Sequence, residues 1–148
     1  MIINMKKYIL SLSLLFATFW ITYSQSADPL VSKCVMSAGQ TAKYLKDFRV
    51  QLGEGGSESD FRFKANMSLW KNTTYRFTMC NSDDSKGQLI LTIKDNTNKT
   101  ILSSFDPETG QIYSYVDLQC NKSGIYQLYY DFTNNQSGSA VGVVSMIR

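Results

Sequence analysis

The chain has 148 residues, with 15 Lys and Arg against 12 Asp and Glu, and it contains no histidine. The missing imidazole excludes Ser–His–Asp and Cys–His catalysis in their usual forms, and every histidine-based zinc site with them. Acidic and basic residues are interspersed with no run of one sign, which argues against nucleic acid or an anionic membrane as the main partner, because phosphate binding needs a basic patch.

Lys6 and Lys7 precede an uncharged stretch from Tyr8 to Tyr23. Small residues follow at Ser24, Ser26 and Ala27, and then Asp28-Pro29. This order of positive, apolar and small is that of a secretory signal peptide over residues 1–27, with cleavage after Ser26 or Ala27. The apolar run of about 16 residues is short of the roughly 20 that a spanning helix needs. A lipoprotein signal does not fit, since Cys34 follows Lys33 and lies well past the apolar run. No second long apolar segment exists. Residues 28–148 are therefore expected to form one exported domain with no integral membrane segment, located in the periplasm, the cell envelope or the medium. Without Lys6 and Lys7, the 15 basic residues become 13 against 12 acidic ones, so the exported part is close to neutral.

In chain order, a short N-terminal segment spans residues 28–46. Within it Ser37 to Lys46 offers the only helical possibility. From Asp47 onward the hydrophobic period is two. Phe48, Val50 and Leu52 alternate with polar residues, and the polar loop GEGGSESD follows. Phe61, Phe63, Met67 and Leu69 form the apolar face of a second strand, with Arg62, Lys64, Asn66 and Ser68 in water. Tyr75, Phe77 and Met79 alternate again, as do Leu89, Leu91 and Ile93. Asp95-Asn96-Thr97-Asn98 is a strong hairpin signal and Asp106 to Gly110 a second turn. Ile101 to Phe105, Ile112 to Leu118, Ile125 to Phe132 and Ala140 to Ile147 complete about eight strands. No long amphipathic helix separates them, so a parallel α/β sheet is excluded. The expected fold is all-β: an antiparallel two-sheet sandwich, jelly-roll-like, with a closed barrel as the alternative.

Three cysteines lie in the exported part. In an oxidising compartment one disulfide and one leftover thiol are expected. Cys80 and Cys120 each end a candidate strand before a polar loop, so they are the favoured pair, with Cys34 as alternative partner or free thiol.

Leu69-Trp-Lys-Asn-Thr-Thr-Tyr75-Arg-Phe77 resembles the "L-x-x-G-x-x-Y-x-F" strand of bacterial prepeptidase C-terminal (PPC) domains. Leu89 to Asp95 is similar to their next strand and turn, and Gly124-Ile-Tyr126-Gln-Leu128 to a late "G-x-Y-x-l" strand. Asn72 stands where that family usually has glycine, and the strand-end cysteines are not part of its pattern. The resemblance covers roughly Phe61 to Ile147. It implies a non-catalytic accessory module that binds glycan or protein, a small protein of the bacterial envelope, and it carries over no catalytic residue.

The chemistry left without histidine is that of carboxylates and surfaces. Most Asp and Glu lie in turns, where Asp shapes the backbone. A pair across a cleft would be needed for a carboxylate-based glycoside hydrolase. Asp83, Asp84 and Asp95 sit in oxygen-rich loops and are weak calcium candidates without the EF-hand spacing. No Gly-rich phosphate loop is present and no cofactor is expected. Tyr113 and Tyr115 alternate with the aliphatic face of their strand, and Tyr129 faces away from Tyr126, Leu128 and Tyr130. If the two strands were neighbours, Tyr113, Tyr115 and Tyr129 would form an aromatic platform for a sugar or a protein. Trp70, just past its strand, is either a cap on the core or a further surface candidate. The expected function is thus a secreted, non-enzymatic binding or accessory module with a protein or carbohydrate ligand. The alternatives are a structural subunit docked through a strand edge and, behind it, a small hydrolase.

Overall fold

A computed structural model of the protein describes residues 28–56 and 62–147. The expected signal peptide (residues 1–27) and Phe61 lie outside the described residues. The elements are α1 (Pro29–Ser37), β1 (Ala42–Leu52), β2 (Phe63–Leu69), β3 (Thr73–Asn81), β4 (Leu89–Lys94), β5 (Thr100–Ser103), β6 (Tyr115–Cys120), β7 (Gly124–Phe132), a 3₁₀ turn (Thr133–Asn135) and β8 (Gly138–Ile147). One sheet has the order β1-β8-β3-β6 and the other β2-β7-β4-β5, and all their pairings are antiparallel. Only β4 and β5 are both consecutive and paired; every other step along the chain crosses from one sheet to the other. This is the jelly-roll arrangement of a β-sandwich, and the expected fold class is observed.

Asparagine shapes several of the turns. Asn72, between β2 and β3, has φ 64°, and Asn98, between β4 and β5, has φ 65°. Both lie in the left-handed region that glycine and asparagine enter at least cost.

The helix falls elsewhere than expected. Ala38 to Lys46 is not helical; α1 ends at Ser37 and Ala42 already begins β1. Asp28 caps α1, its Oδ1 accepting from the Leu30 amide at 2.9 Å, with Pro29 in the first turn. Asp-Pro is thus a helix start, and Gly39, at φ 101°, ends it. Downstream, pairing of Ala42 with Ile147 and of Leu52 with Gly138 draws the chain into the sheet. The weak local helical tendency of these residues yields to that ladder.

The two sheets enclose a core that includes Phe77, Leu91, Leu128, Tyr130 and Phe132, all almost fully buried. Each side chain of this size contributes about 1.5–3 kcal/mol through burial. Tyr130 is its wedge. Its ring packs against Phe48 and Phe63, each at 6.0 Å between centroids. Its hydroxyl lies where a Cβ on Gly142 would be, at 2.5 Å, so β8 can hold only glycine there. That hydroxyl is buried with no hydrogen-bond partner among the described residues.

The bridge joins Cys34 to Cys80, and Cys120 is a buried free thiol. The favoured pair Cys80–Cys120 is therefore corrected. Both residues end their strands, but β3 and β6 are antiparallel neighbours with Cys120 opposite Thr73. The C-terminal ends of such strands lie at opposite rims, here about seven residues or roughly 23 Å apart. Cys80 instead faces outward from the sandwich core, toward Cys34 of α1. With Leu30, Val31 and Val35, Cys34 packs α1 onto Val141 and Val143, on the outer face of the β1-β8-β3-β6 sheet. Asp28 adds an ion pair to Arg49 of β1 at 2.8 Å.

Two outcomes test this packing. The sequence separation of 46 between the bridged cysteines corresponds to about 4 kcal/mol on the chain-entropy view. Cys34→Ser/Cys80→Ser is expected to lower stability by about 2–5 kcal/mol in urea melts, and thiol titration of the native wild type to find one thiol that reacts only on unfolding. Tyr130→Phe removes an unpaired buried hydroxyl and is expected to leave stability unchanged or to raise it by about 1 kcal/mol; a clear loss would mean that the hydroxyl is satisfied.

Candidate functional site

The expected tyrosine platform is not assembled. Tyr115 begins β6 in one sheet and Tyr129 lies on β7 in the other, so the two face solvent on opposite sides of the sandwich. The strands are consecutive in sequence but not neighbours in a sheet. On its own face, Tyr115 carries the Arg76 guanidinium 4.3 Å from its ring centroid. Arg76 in turn holds Asp117 through two contacts of 2.8 Å and donates to the Ala38 carbonyl at the end of α1. Tyr115 thus belongs to the packing around α1. Tyr113 precedes β6, tied by its amide to the Ser104 carbonyl. It lines a shallow pocket with Met79, Asn81 and Gln88 at the opposite rim from Trp70.

Trp70 is not a cap on the core. Its side chain is 68% exposed, the residue immediately after β2. Its position is nevertheless fixed. The Trp70 amide donates to the Tyr75 hydroxyl at 2.9 Å and the Lys71 amide to Ser123 Oγ at 2.8 Å. Beside it lies Ile125 of β7, 59% exposed, on the outer face of the second sheet and opposite Ser68. Trp70 and Ile125 make an exposed apolar patch at one corner of the molecule.

Two surfaces run from this corner. Over the rim, between the β4–β5 hairpin and the β6–β7 connection, is a groove of about 330 Å³ that includes Asn96, Gln119, Asn121 and Ser123 with Ile101 and Tyr126. Down the outer face of the second sheet, the register sets Asn66 beside Gln127 and Lys94, then Lys64 beside Tyr129 and Thr92. Lys64 Nζ and Lys94 Nζ lie 5.5 and 4.9 Å from the Tyr129 ring centroid, one reaching in from each flanking strand. The Tyr129 hydroxyl donates to Gln127 Oε1 at 2.7 Å. Tyr129 therefore holds the two lysines and does not itself offer a bare ring.

The carboxylates are dispersed and mostly engaged. Asp95 accepts from the Thr97 hydroxyl and from the Thr97 and Lys99 amides, which hold its carboxyl below the usual range and shape the hairpin. Asp83 and Asp84 sit at the other rim, between β3 and β4, so the weak calcium candidates do not converge. No cluster of three metal-ligating side chains is present among the described residues. Asp131 is buried with Arg62, its Oδ1 2.8 Å from both Nε and Nη2. Arg62 also reaches the Gly53 and Gln136 carbonyls and so ties the loop after β1 to the end of β7.

Below the groove, Cys120 and Tyr126 meet. The Tyr126 hydroxyl donates to the Lys122 carbonyl at 2.7 Å and lies 3.7 Å from the Cys120 sulfur. Burial, then its contact with Cys120, pushes the Tyr126 phenol up to about 12, and burial raises Tyr130 as well.

No protein-family model matches this chain, and no curated protein is similar to it. Among the described residues no helix is long and apolar enough to cross a membrane.

The two raised phenols set an alkaline limit. Both hold their protons more tightly in the folded state than in the unfolded chain. Their contribution is complete below the ordinary tyrosine pKa of 10.0 and is lost as pH rises through the folded value, about 12 for Tyr126. Absorbance at 295 nm is expected to show late-ionising tyrosines whose titration coincides with unfolding. A single early wave with the fold intact would contradict this.

Proposed function

We propose that the protein is a secreted, non-enzymatic binding module whose ligand is a glycan, taken at the corner where Trp70 meets the outer face of the β2-β7-β4-β5 sheet. The exposure of Trp70 carries this reading. A tryptophan placed in water by two backbone hydrogen bonds, next to Ile125, offers a flat apolar ring of the kind on which sugar rings stack. Asn66 and Gln127 lie further along one adjoining surface and Gln119 and Asn121 along the other, where directed hydrogen bonds to hydroxyls are available. The Cys34–Cys80 bridge is compatible with an oxidising compartment, and the lysine-led apolar start of the chain adds to the case for export. The dispersal of the carboxylates favours binding over hydrolysis. The PPC-like strand pattern supports an accessory role only by analogy of fold.

The test is binding of the exported chain to an array of neutral and acidic glycans. Trp70→Ala is expected to weaken binding at least about tenfold, the equivalent of about 1.4 kcal/mol, with an unchanged circular dichroism spectrum. Tyr113→Ala/Tyr115→Ala is expected to leave it intact. Absence of binding across the array, or binding indifferent to Trp70, would overturn the glycan reading and turn attention to a protein partner.

A further inference from the structure

We infer that the glycan is acidic, its carboxylate received between Lys64 and Lys94 on the outer face of the second sheet. This rests on the glycan reading above and adds the chemical class of the ligand. Lys64 on β2 and Lys94 on β4 converge over one ring, that of Tyr129 on the intervening strand. Among the described residues neither ammonium is in an ion pair, as holds for every described lysine but Lys86; what sets Lys64 and Lys94 apart is that both reach the same ring. Two acids close by in sequence, among the described residues, are already committed. Asp131 is buried against Arg62, and Asp95 is folded into its own turn. Among the described residues the two cations thus share one face without a carboxylate partner.

The ligand's length and direction follow from the register. The row after Lys64 and Tyr129 is Asn66, Gln127 and Lys94; the next is Ser68 and Ile125; Trp70 stands just beyond. Each step of two residues covers about 6.6 Å of strand. Stacking on Trp70 and charge recognition at the lysine pair are therefore separated by several strand residues, a span suited to an oligosaccharide and too long for one sugar ring. A lone sugar acid could not meet both. Because the ring of Tyr129 is covered by the ammonium groups, Tyr129 is a positioning residue for the lysines.

The experiment uses calorimetric titration of the exported chain with polygalacturonate, alginate and hyaluronan oligosaccharides, each beside its carboxyl-reduced counterpart. The expected result is binding of at least one acidic oligosaccharide that falls with added salt and weakens about tenfold or more in Lys64→Gln/Lys94→Gln. The reduced counterpart is expected to bind the wild type and this variant to within about twofold of each other. Lys33→Gln/Lys43→Gln removes the same charge from the other side of the sandwich and is expected to change little. Equal affinity for acidic and reduced forms, no effect of the Lys64/Lys94 pair, or an equal effect of the Lys33/Lys43 pair would each overturn the inference. Trp70→Ala separates it from the broader reading: loss in Trp70→Ala with indifference to Lys64 and Lys94 removes only the acidic ligand, and no binding of any oligosaccharide removes both.

Discussion

The Cys34–Cys80 bridge and the small apolar cluster around it hold α1 across β3 and β8, and this covering makes the two outer faces of the sandwich unlike. A two-sheet sandwich has two outer faces, and without further chain both would be available. Here one is occupied by the helix, by the Asp28–Arg49 ion pair and by Arg76 with Asp117 and Tyr115. The other has no such cover among the described residues. Asymmetry of the molecule thus comes from nine residues of helix and one covalent bond, laid on a scaffold whose two sheets are alike in size.

The outer face of the second sheet is held stiff from below. Along β7, residues facing the core and residues facing water alternate, so Tyr126, Leu128 and Tyr130 anchor the strand that presents Ile125, Gln127 and Tyr129. At one end of that strand, Arg62 and Asp131 form a buried ion pair that also ties down two loop carbonyls. Breaking such a pair leaves an uncompensated charge and is far costlier than losing a surface pair. At the other end, the Tyr75 hydroxyl and Ser123 fix the backbone of Trp70 and Lys71. The side chains proposed to contact a ligand are therefore mounted on a frame with little freedom to lose on binding, which favours affinity.

Strands, turns and the two-sheet class were legible because a period of two with Asn, Asp and Gly between runs has few other meanings. Tyr126, Leu128, Tyr130 and Phe132 were readable as core on that basis alone. Strand neighbours were not. Whether β6 lies beside β7 or beside β3 depends on crossings that leave no local mark; its place across the sandwich from β7 breaks up the tyrosine platform, and its antiparallel pairing with β3 sets Cys80 and Cys120 at opposite rims. The helix was missed because Asp28-Pro29 reads equally as a processing boundary and as a cap followed by a first-turn proline. Lys64 and Lys94 carried no individual signal. Each is an ordinary outward residue of its strand, and only the β2-β7-β4 register brings them to the same ring.

The central claim is that the working surface is the outer face of the β2-β7-β4-β5 sheet with Trp70 at its corner. Chemical-shift mapping of the isotope-labelled chain from Asp28 onward, on addition of a bound oligosaccharide, tests this most directly. The account predicts perturbations at the Trp70 indole and at Ser68, Asn66, Gln127, Tyr129 and Lys94. A response confined to α1, β1 and Tyr115, or to the rim of Tyr113, would contradict it.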